Sequence, residues 1–343
     1  PVSGSPRAGF AGEDFKCQLS RGLIEDIQSA GHWSMKLLNE ERHEVPQLTV
    51  RQLQAISFSR KKSRDLHFKA LKAINERAQR LGFKESDLSK ALERVRESAP
   101  IIVHVNLGAV GDKLANDTHF RNHFETKTIQ RGIESRNPVR NARRLSYEEK
   151  GKVSVQDHLF DSAYDGSPGF ERIKYAVMNV MNNPKGDYSC HSAYGKDYLV
   201  LKQVRFRSTL TLGDSWFYGD RCLVGAPDYF AHFLMQFSAE EFVALLQLAG
   251  GHELSGTLQK IVNRRVDRTF PRHAYKHFIK KYIEVQIHGE VRLRDHVAKI
   301  VVHDEHRSEP GFADMLTALQ QACGDCEVVW MDDHGDALER IQK

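Results

Sequence analysis

The sequence predicts an α+β fold, in which helices come first and a mostly antiparallel β-sheet core with inserted helices follows. Apolar residues recur at helical spacing over 19–99, and short runs after residue 100 alternate between apolar and polar side chains. Alternation with a period of two is the signal of a half-buried strand, and separate helical and strand regions are typical of α+β proteins. We divide the sequence into a flexible leader at 1–18, rich in Gly, Ser and Pro, a helical N-terminal domain at 19–99 and an α+β domain at 100–343.

Two capping boxes mark helix starts. Thr49 with Gln52 predicts a helix that ends near Gly82, and Ser238 with Glu241 predicts another, because each pair can satisfy two unpaired backbone N–H groups of a first turn. Further helical patterns lie at 88–95, after Pro271 and at 312–322. The predicted strands are 101–107, 120–129, 175–181, 198–201, 204–212, 282–288, 298–302 and 327–331.

One predicted strand carries a row of polar side chains. Residues 281–293 read KYIEVQIHGEVRL, in which Tyr282, Glu284, Gln286 and His288 alternate with aliphatic residues that must face a core. The row presents a phenol, a carboxylate, an amide and an imidazole, which suit a charged, sugar-like ligand. The alternative is that this face lies in water, as one face of an antiparallel sheet often does. The absence of Lys, Thr and Ser from the row favours a ligand.

Composition limits the class of protein. The most apolar stretch, 226–248, contains Asp228, His232, Glu240 and Glu241, so we expect no membrane span there. No signal-peptide pattern begins the sequence, so we expect a cytoplasmic protein, and delivery into the cytosol of a host cell without a cleaved signal stays open. Five cysteines, an odd number, indicate a reducing compartment. The net charge of +5 favours an acidic or phosphate-bearing partner.

Three pairs of potential metal ligands each lack the further ligands that a metal site requires. They are Cys323 with Cys326, His273 with His277 and His303 with His306. A structural zinc site needs four ligands, and no second pair stands at a suitable spacing. We therefore expect no metal and interpret Cys323 and Cys326 as two thiols near the surface. The sequence also lacks a Walker loop, a G-x-G-x-x-G motif and a G-x-S-x-G motif.

A basic run interleaved with aromatic residues raises nucleic-acid binding as an alternative. Its members are Arg264, Arg265, Arg268, Phe270, Arg272, Tyr275, Lys276, Phe278, Lys280 and Lys281. Basic and aromatic side chains together can bind a single strand. Helical spacing directs the aromatic residues toward a core, however, so nucleic acid is not an expected partner. A steep salt dependence of binding would reveal one.

Five segments carry a resemblance to a known family. In order they are HFETKT at 123–128, LFDSAYDGSP at 159–168, ERIKYAVMN at 171–179, YGKDYLVLKQVRFRSTLTLGDS at 194–215 and YIEVQIHGEVRLRDHV at 282–297. With this order and spacing, residues 101–335 resemble a bacterial family catalogued only as a domain of unknown function. The first hundred residues lie outside the resemblance.

The order of parts is also similar, more distantly, to the ADP-ribosyltransferase superfamily, with an early strand bearing Arg or His, a middle strand bearing Ser and Thr and a late strand bearing Glu. The corresponding residues are His104 and Asn106, then Glu125, Thr126 and Thr128, then Glu284. This resemblance implies a split β-sheet and NAD+ as the substrate, and effectors that place ADP-ribose on a threonine of ubiquitin are the subgroup it suggests. The sequence departs from the pattern in that Gln286 follows the glutamate, Lys127 replaces a glycine and Asn106 replaces a histidine.

Roles follow from the chemistry of the nicotinamide–ribose bond, whose cleavage resembles that of a glycoside and passes through an oxocarbenium-like transition state. Glu284 is the expected catalytic carboxylate, Gln286 or Tyr282 orients it, and Glu125 is the alternative carboxylate. The expected cofactor-binding residues are His104, Asn106, Thr126, Thr128, Tyr194, Arg205, Arg207, Tyr282 and His288. The two arginines of this set are expected on one strand face, where they would bind the pyrophosphate.

The predicted function is therefore mono-ADP-ribosyl transfer from NAD+ to a protein side chain, with the helical N-terminal domain recognising the target or covering the site. An NAD glycohydrolase would use the same cleft with water as the acceptor. A binding module without catalysis, which recognises a nucleotide or a phosphate-bearing partner, is the alternative from another class.

Overall fold

The computed structural model describes residues 48–126, 153, 155–215, 222–252, 254 and 282–331. These contain an eight-stranded sheet whose strands lie in the order β5-β4-β6-β2-β1-β3-β7-β8. Only the β7–β8 pair is parallel among them, so the prediction of a mostly antiparallel sheet is confirmed. The strands are β1 (Ile101–Val105), β2 (Lys174–Met178), β3 (Asp197–Leu201), β4 (Ser208–Leu212), β5 (Leu223–Gly225), β6 (Ile283–Ile287), β7 (Val297–His303) and β8 (Glu327–Met331).

The sheet is narrowly joined at its middle. Strands β1 and β2 pair only through Ile101 with Met178 and Ile102 with Val177, whereas β2 and β6 pair over five residues. Beyond Ile102 the two central strands are therefore unpaired with each other. The expected split sheet is one continuous sheet among the described strands, with β5-β4-β6-β2 on one side of this narrow joint and β1-β3-β7-β8 on the other.

Helices pack on both faces of the sheet, most of them on one face. They are α1 (Val50–Arg80), α2 (Glu85–Glu93), α3 (Leu107–Ala115), α4 (His123–Thr126), α5 (Tyr188–Tyr194), α6 (Ala231–Leu234), α7 (Ala239–Ala249), α8 (Leu293–His296) and α9 (Phe312–Ala322). The main core joins apolar residues of α1, α2, α6, α7 and α9 to one face of the strands, including Val103, Leu210 and Val285. The predicted helical region before the sheet is confirmed for its described part. None of the described helices combines the length and the apolar character that a membrane crossing requires.

The capping boxes are confirmed. Thr49 Oγ1 accepts from the backbone N–H of Gln52 at 3.4 Å, and Gln52 Oε1 accepts from the backbone N–H of Thr49 at 2.9 Å. The same reciprocal pair joins Ser238 and Glu241 at 3.2 and 2.7 Å. Helix α9 and strand β8 have the predicted bounds.

The prediction of a strand at 120–129 is wrong for its described part, because a local cap competes with extension. Asn122 Oδ1 accepts from the backbone N–H of Glu125 at 3.1 Å, and Glu125 Oε2 accepts from the backbone N–H of Asn122 at 2.9 Å. This reciprocal pair starts the short helix α4, as a capping box does. Residues 127–129 lie outside the described residues.

Two other predicted strands are shortened by a helical turn beside them. Strand β1 ends at Val105 because Asn106 is the N-cap of α3, whose side chain accepts from the N–H of Ala109 at 3.0 Å. The predicted strand 204–212 begins only at Ser208, since residues 205–207 form a 3-10 helix. The predicted leader, the helix after Pro271, the pair His273 and His277, and the basic run through residue 281 lie outside the described residues.

Candidate functional site

A cavity of about 180 Å³ opens where β1 and β2 lose their pairing. Its walls come from β1, β2, α5, the segment at 120–124 and the ends of β4 and β6. The lining residues are Ile102, Val103, His104, Phe120, Arg121, Asn122, His123, Phe124, Ile173, Tyr175, Ala176, Val177, Cys190, Tyr194, Asp214, Ser215, Tyr282 and Glu284. Four of the positions at which β1 and β2 no longer pair with each other line it, namely Val103, His104, Tyr175 and Ala176, so the narrow joint of the sheet creates the space.

The polar row of β6 is buried. Gln286 and His288 are fully buried, and Tyr282 and Glu284 are each 7% exposed. The alternative of a row facing water is therefore wrong. The rings of Phe160 and Tyr164 pack against His288 at the end of the row, and the first two members of the row reach the cavity.

Glu284 is held by hydrogen bonds from its own sheet. Gln286 Nε2 donates to Glu284 Oε1 at 2.8 Å, and Thr211 Oγ1 donates to the same oxygen at 3.4 Å. Thr211 is paired directly opposite Glu284 on β4. Two donors on rigid strands therefore fix the carboxylate, and Gln286 is one of the two residues expected to orient it.

The environment of Glu284 favours its protonated form. Burial raises its pKa, and the negative charge of Asp214 raises it further, while hydrogen bonds from Ser215 and Gln286 oppose the shift; the result is a pKa of about 7. A carboxyl group that titrates near neutral pH can give or accept a proton under physiological conditions. Perturbed carboxylates in cavities are typical of functional sites.

Tyrosines line the space beside this carboxyl group. Burial raises the pKa of Tyr175, and the charge of Glu284 raises it further. The pKa of Tyr282 is raised for the same two reasons. Both phenols therefore stay protonated and remain hydrogen-bond donors across the physiological range. Tyr194, which is 38% exposed, also lines the cavity.

His104 faces the cavity from β1 as a neutral imidazole. Its Nε2 accepts from the backbone N–H of Asp187 at 2.9 Å, and its Nδ1 lies 3.2 Å from the carbonyl oxygen of Gly195. The first contact requires an acceptor, so the ring proton lies on Nδ1 and is donated to Gly195. Burial and the neighbouring His191 lower the pKa of His104 to about 3, so the ring stays uncharged.

Several predicted site residues lie elsewhere. Glu125 Oε2 lies 3.5 Å from the Nζ of the buried Lys174, and Thr126 donates to the carbonyl oxygen of Asn122 at 3.3 Å. Neither lines the cavity, and nor does Asn106, which caps α3. Thr128 lies outside the described residues.

The prediction that two arginines share a strand face is wrong. Both lie in the 3-10 helix before β4 and donate to backbone carbonyls, Arg205 to those of Val95 and Ala99 and Arg207 to that of His288 at 2.5 Å. A left-handed Gln203, with a φ of 58°, turns the backbone immediately before this helix. The arginine that does line the cavity is Arg121.

His288 does not reach the cavity either. Its ring bonds to Tyr164 at 2.5 Å and to Thr209 at 3.0 Å and lies in the protein interior.

Sequence reasoning missed Tyr175, Asp214 and Ser215. Tyr175 pairs with Gln286 across β2 and β6, and it stands in alternation with Val177, a signal that marks the same face of β2. Asp214 follows Gly213 in the turn after β4. The backbone N–H of Gly213 donates to the carbonyl oxygen of Tyr282 at 2.8 Å, which brings the turn beside the start of β6.

The short metal-ligand motifs form no metal centre in the part of the chain that the structure describes, where no three His, Cys, Asp or Glu side chains are grouped for an ion. Cys323 and Cys326 are free and buried, at 1% and 9% exposed, so their interpretation as near-surface thiols is wrong. They pack into the main core, which is one of the environments that free cysteine favours.

The fold and the cavity define a mixed α/β protein with a buried carboxyl group at the joint of its sheet. Residues 101–339 match the family described as "Protein of unknown function (DUF3626)", and the chain belongs to that family. The predicted resemblance of residues 101–335 to a family of unknown function is thereby confirmed. No curated protein matches the chain.

Proposed function

We propose that the protein is a mono-ADP-ribosyltransferase, which cleaves NAD+ and transfers ADP-ribose to a protein side chain. The observation that supports this proposal is Glu284, a strand-held carboxyl group with a pKa of about 7 in a tyrosine-lined cavity. The distant resemblance of the sequence to the ADP-ribosyltransferase superfamily supplies the reaction.

The carboxyl group suits the chemistry of N-glycosidic cleavage. The bond between ribose C1′ and the nicotinamide nitrogen breaks, its electron pair leaves with neutral nicotinamide, and positive charge develops on the sugar. Ionised Glu284 stabilises that charge and accepts a hydrogen bond from a ribose hydroxyl. The acceptor oxygen then bonds to C1′ and releases its proton, which a carboxylate with a pKa near 7 can take up.

The lining side chains suit the nicotinamide end of NAD+. The nicotinamide ring carries a positive charge, and the aromatic faces of Tyr175 and Tyr282 attract cations. A cavity of about 180 Å³ is smaller than a site that encloses a whole drug-sized ligand, so only the ring and part of its ribose would enter.

An NAD glycohydrolase is the second candidate, and the same carboxyl group favours it. A residue that takes a proton from an acceptor hydroxyl can take one from water in the same position. The threonine of ubiquitin stays a proposal for the acceptor, and a binding module without catalysis stays the alternative should no NAD+ be consumed.

The test is the release of nicotinamide from NAD+, measured by liquid chromatography with the full-length protein. Glu284→Gln should lower the rate at least about a hundredfold, since it removes a preorganised charge. The matched control is Glu290→Gln, because Glu290 lies just after the same strand with 53% of its side chain exposed. An unchanged rate in Glu284→Gln would remove this residue from the mechanism.

Product analysis by mass spectrometry then separates the candidates. ADP-ribose attached to an added protein acceptor, such as ubiquitin, supports transfer. Free ADP-ribose alone supports the glycohydrolase, and intact NAD+ under all conditions leaves the binding module.

A further inference from the structure

A series of buried hydrogen bonds ends on the Glu284 carboxylate. Tyr164 lies 2.5 Å from His288 Nδ1, and His288 Nε2 lies 3.0 Å from Thr209 Oγ1. Thr209 Oγ1 lies 3.2 Å from Gln286 Oε1, and Gln286 Nε2 lies 2.8 Å from Glu284 Oε1. We call Tyr164, His288, Thr209 and Gln286 the donor series.

The direction of every hydrogen in the series follows from its end. When Glu284 is ionised its carboxylate only accepts, so Gln286 must then present its NH2 group to Glu284 and its carbonyl oxygen to Thr209. The Thr209 hydroxyl then donates to that oxygen, and its own oxygen accepts from His288 Nε2–H. The other ring nitrogen of a neutral histidine is an acceptor, so it receives the Tyr164 O–H.

His288 is neutral, as this assignment requires. Burial lowers its pKa to about 3, and the nearby charge of Arg207 acts in the same direction. One ring nitrogen therefore donates and the other accepts at physiological pH. All four hydrogens consequently point toward the carboxylate.

The surroundings leave the series little freedom. Tyr164, Thr209, Gln286 and His288 are each fully buried. The ring of Phe160 packs edge-on against His288, with 5.3 Å between the ring centroids. Arg207 donates to the backbone carbonyl of His288 at 2.5 Å, and Arg172 donates to that of Tyr164 at 3.1 Å. Hydrogen bonds in such a dry, fixed environment polarise one another.

We propose that Tyr164, His288 and Thr209 are positioning residues, which act through Gln286 to orient the Glu284 carboxylate and strengthen the hydrogen bond that it accepts. Their side chains do not line the cavity, so they have no direct contact with a ligand there. The catalytic significance of the series rests on the proposed function, but the hydrogen bonding itself does not. The two can therefore be tested separately.

A structural role and a positioning role predict different results. Loss of a buried hydrogen bond lowers stability in either case. Only a positioning role changes the titration of Glu284, because weaker donation makes the ionised carboxylate less favourable. Cooperative strengthening of about 10–30% per bond makes the effect largest for the links nearest Gln286.

The experiment is a pH titration of Glu284 by infrared or ¹³C NMR spectroscopy of protein labelled at glutamate carboxyl carbons. The Glu284 signal is the one missing from Glu284→Gln. Tyr164→Phe should raise the midpoint by roughly 0.3 pH unit, and Thr209→Val, which interrupts the series beside Gln286, by roughly 0.5 to 1 unit.

The control variant is Tyr198→Phe. Tyr198 is also buried, at 3% exposed, and donates to the carbonyl oxygen of Pro184 at 2.7 Å, so the change removes the same group outside the series. It should leave the Glu284 midpoint in place.

The other charges around Glu284 are the same in all three variants. The charge of Asp214 raises the pKa of Glu284, and the charge of Glu284 raises the pKa values of Tyr175 and Tyr282. His104, Arg121 and His123 line other parts of the cavity.

An unmoved midpoint in Thr209→Val, or equal shifts in the control and the two series variants, overturns the proposal. Circular dichroism identifies a variant that fails to fold. If one of Tyr164→Phe and Thr209→Val does not fold, the Glu284 midpoint of the other tests the proposal. Because the readout is a titration, a protein that does not cleave NAD+ still answers the question. Where cleavage is observed, the acidic limb of its pH profile should move to higher pH with the midpoint.

Discussion

Replacing Glu284 with glutamine should stabilise the protein at alkaline pH relative to acidic pH. Burial and the charge of Asp214 raise the pKa of Glu284 from 4.5 to about 7. A group with a raised folded-state pKa contributes stability below its unfolded pKa and loses that contribution as the pH rises through the folded value. Above pH 7 the wild-type protein therefore carries an ionised carboxylate in an environment that disfavours it.

The size of the effect follows from the shift. A difference of about 2.5 pKa units at about 1.4 kcal/mol per unit corresponds to roughly 3 kcal/mol. Glutamine keeps the length of the side chain and an oxygen that can accept from Gln286 at the position of Oε1. The amide cannot accept the charge-assisted hydrogen bonds that the wild-type carboxylate accepts when it is ionised. At such a pH their loss lowers the stability of the variant by roughly 1–3 kcal/mol. The roughly 3 kcal/mol obtained from the pKa shift already includes these hydrogen bonds. The quantity to measure is therefore the change with pH in the unfolding free energy of Glu284→Gln relative to that of the wild type.

The assay is urea unfolding, followed by circular dichroism, at five pH values between 5 and 8.5. The unfolding free energy of Glu284→Gln minus that of the wild type should rise with pH by up to about 3 kcal/mol. Glu290→Gln is the control because the pKa of Glu290 is lowered: burial alone would raise it, but His119 and Arg292 outweigh burial. The unfolding free energy of Glu290→Gln minus that of the wild type should therefore stay constant or fall with pH. A flat curve for Glu284→Gln would refute a raised pKa and with it the case for a poised carboxyl group.

Two further predictions concern the frame of the site. Gly195→Ala should lower the unfolding free energy by more than about 2 kcal/mol, because Gly195 has a φ of 111° and an added Cβ would collide with the backbone at the end of β1. The control Gly251→Ala, at a φ of 76° in open space, should lower it less in the same urea assay. Equal losses in the two variants would contradict the collision. His306→Gln should destabilise more at pH 5.5 than at pH 9: burial lowers the pKa of His306, but Glu309 and Asp197 outweigh it and raise the pKa, so the stabilisation is present below 6.5 and is lost as the pH rises. The same loss at both values would contradict an imidazolium between the two carboxylates.

Local signals predicted the elements that depend on few residues. The capping boxes at Thr49 and Ser238 and the helix Phe312–Ala322 could be predicted because caps and helical spacing lie within a few residues of one another. The same kind of signal explains one error. Asn122 and Glu125 are three residues apart and cap each other, so a rule for local caps would have replaced the predicted strand with a helix.

The site could be predicted only in part. Alternation placed Glu284 and Gln286 on one face of a strand, since side chains of a strand point to opposite faces in turn. It gave no information on which strands lie beside β6. Tyr175 comes from β2 and Asp214 from the turn after β4. The cavity that both residues line exists because β1 and β2 pair over only two residues. Such contacts depend on tertiary structure and have no local signature.

The burial of Glu284 is itself an argument for a function. A carboxyl group taken out of water loses hydration, and a second carboxylate, Asp214, makes its ionisation less favourable still. An apolar side chain of similar volume at this position would avoid both effects. Hydrogen bonds from Ser215 and Gln286 reduce the penalty without removing it, because the pKa stays raised. An arrangement that lowers stability in this way is typical of sites where a carboxylate acts on a ligand, and the cavity beside Glu284 is where that ligand would bind.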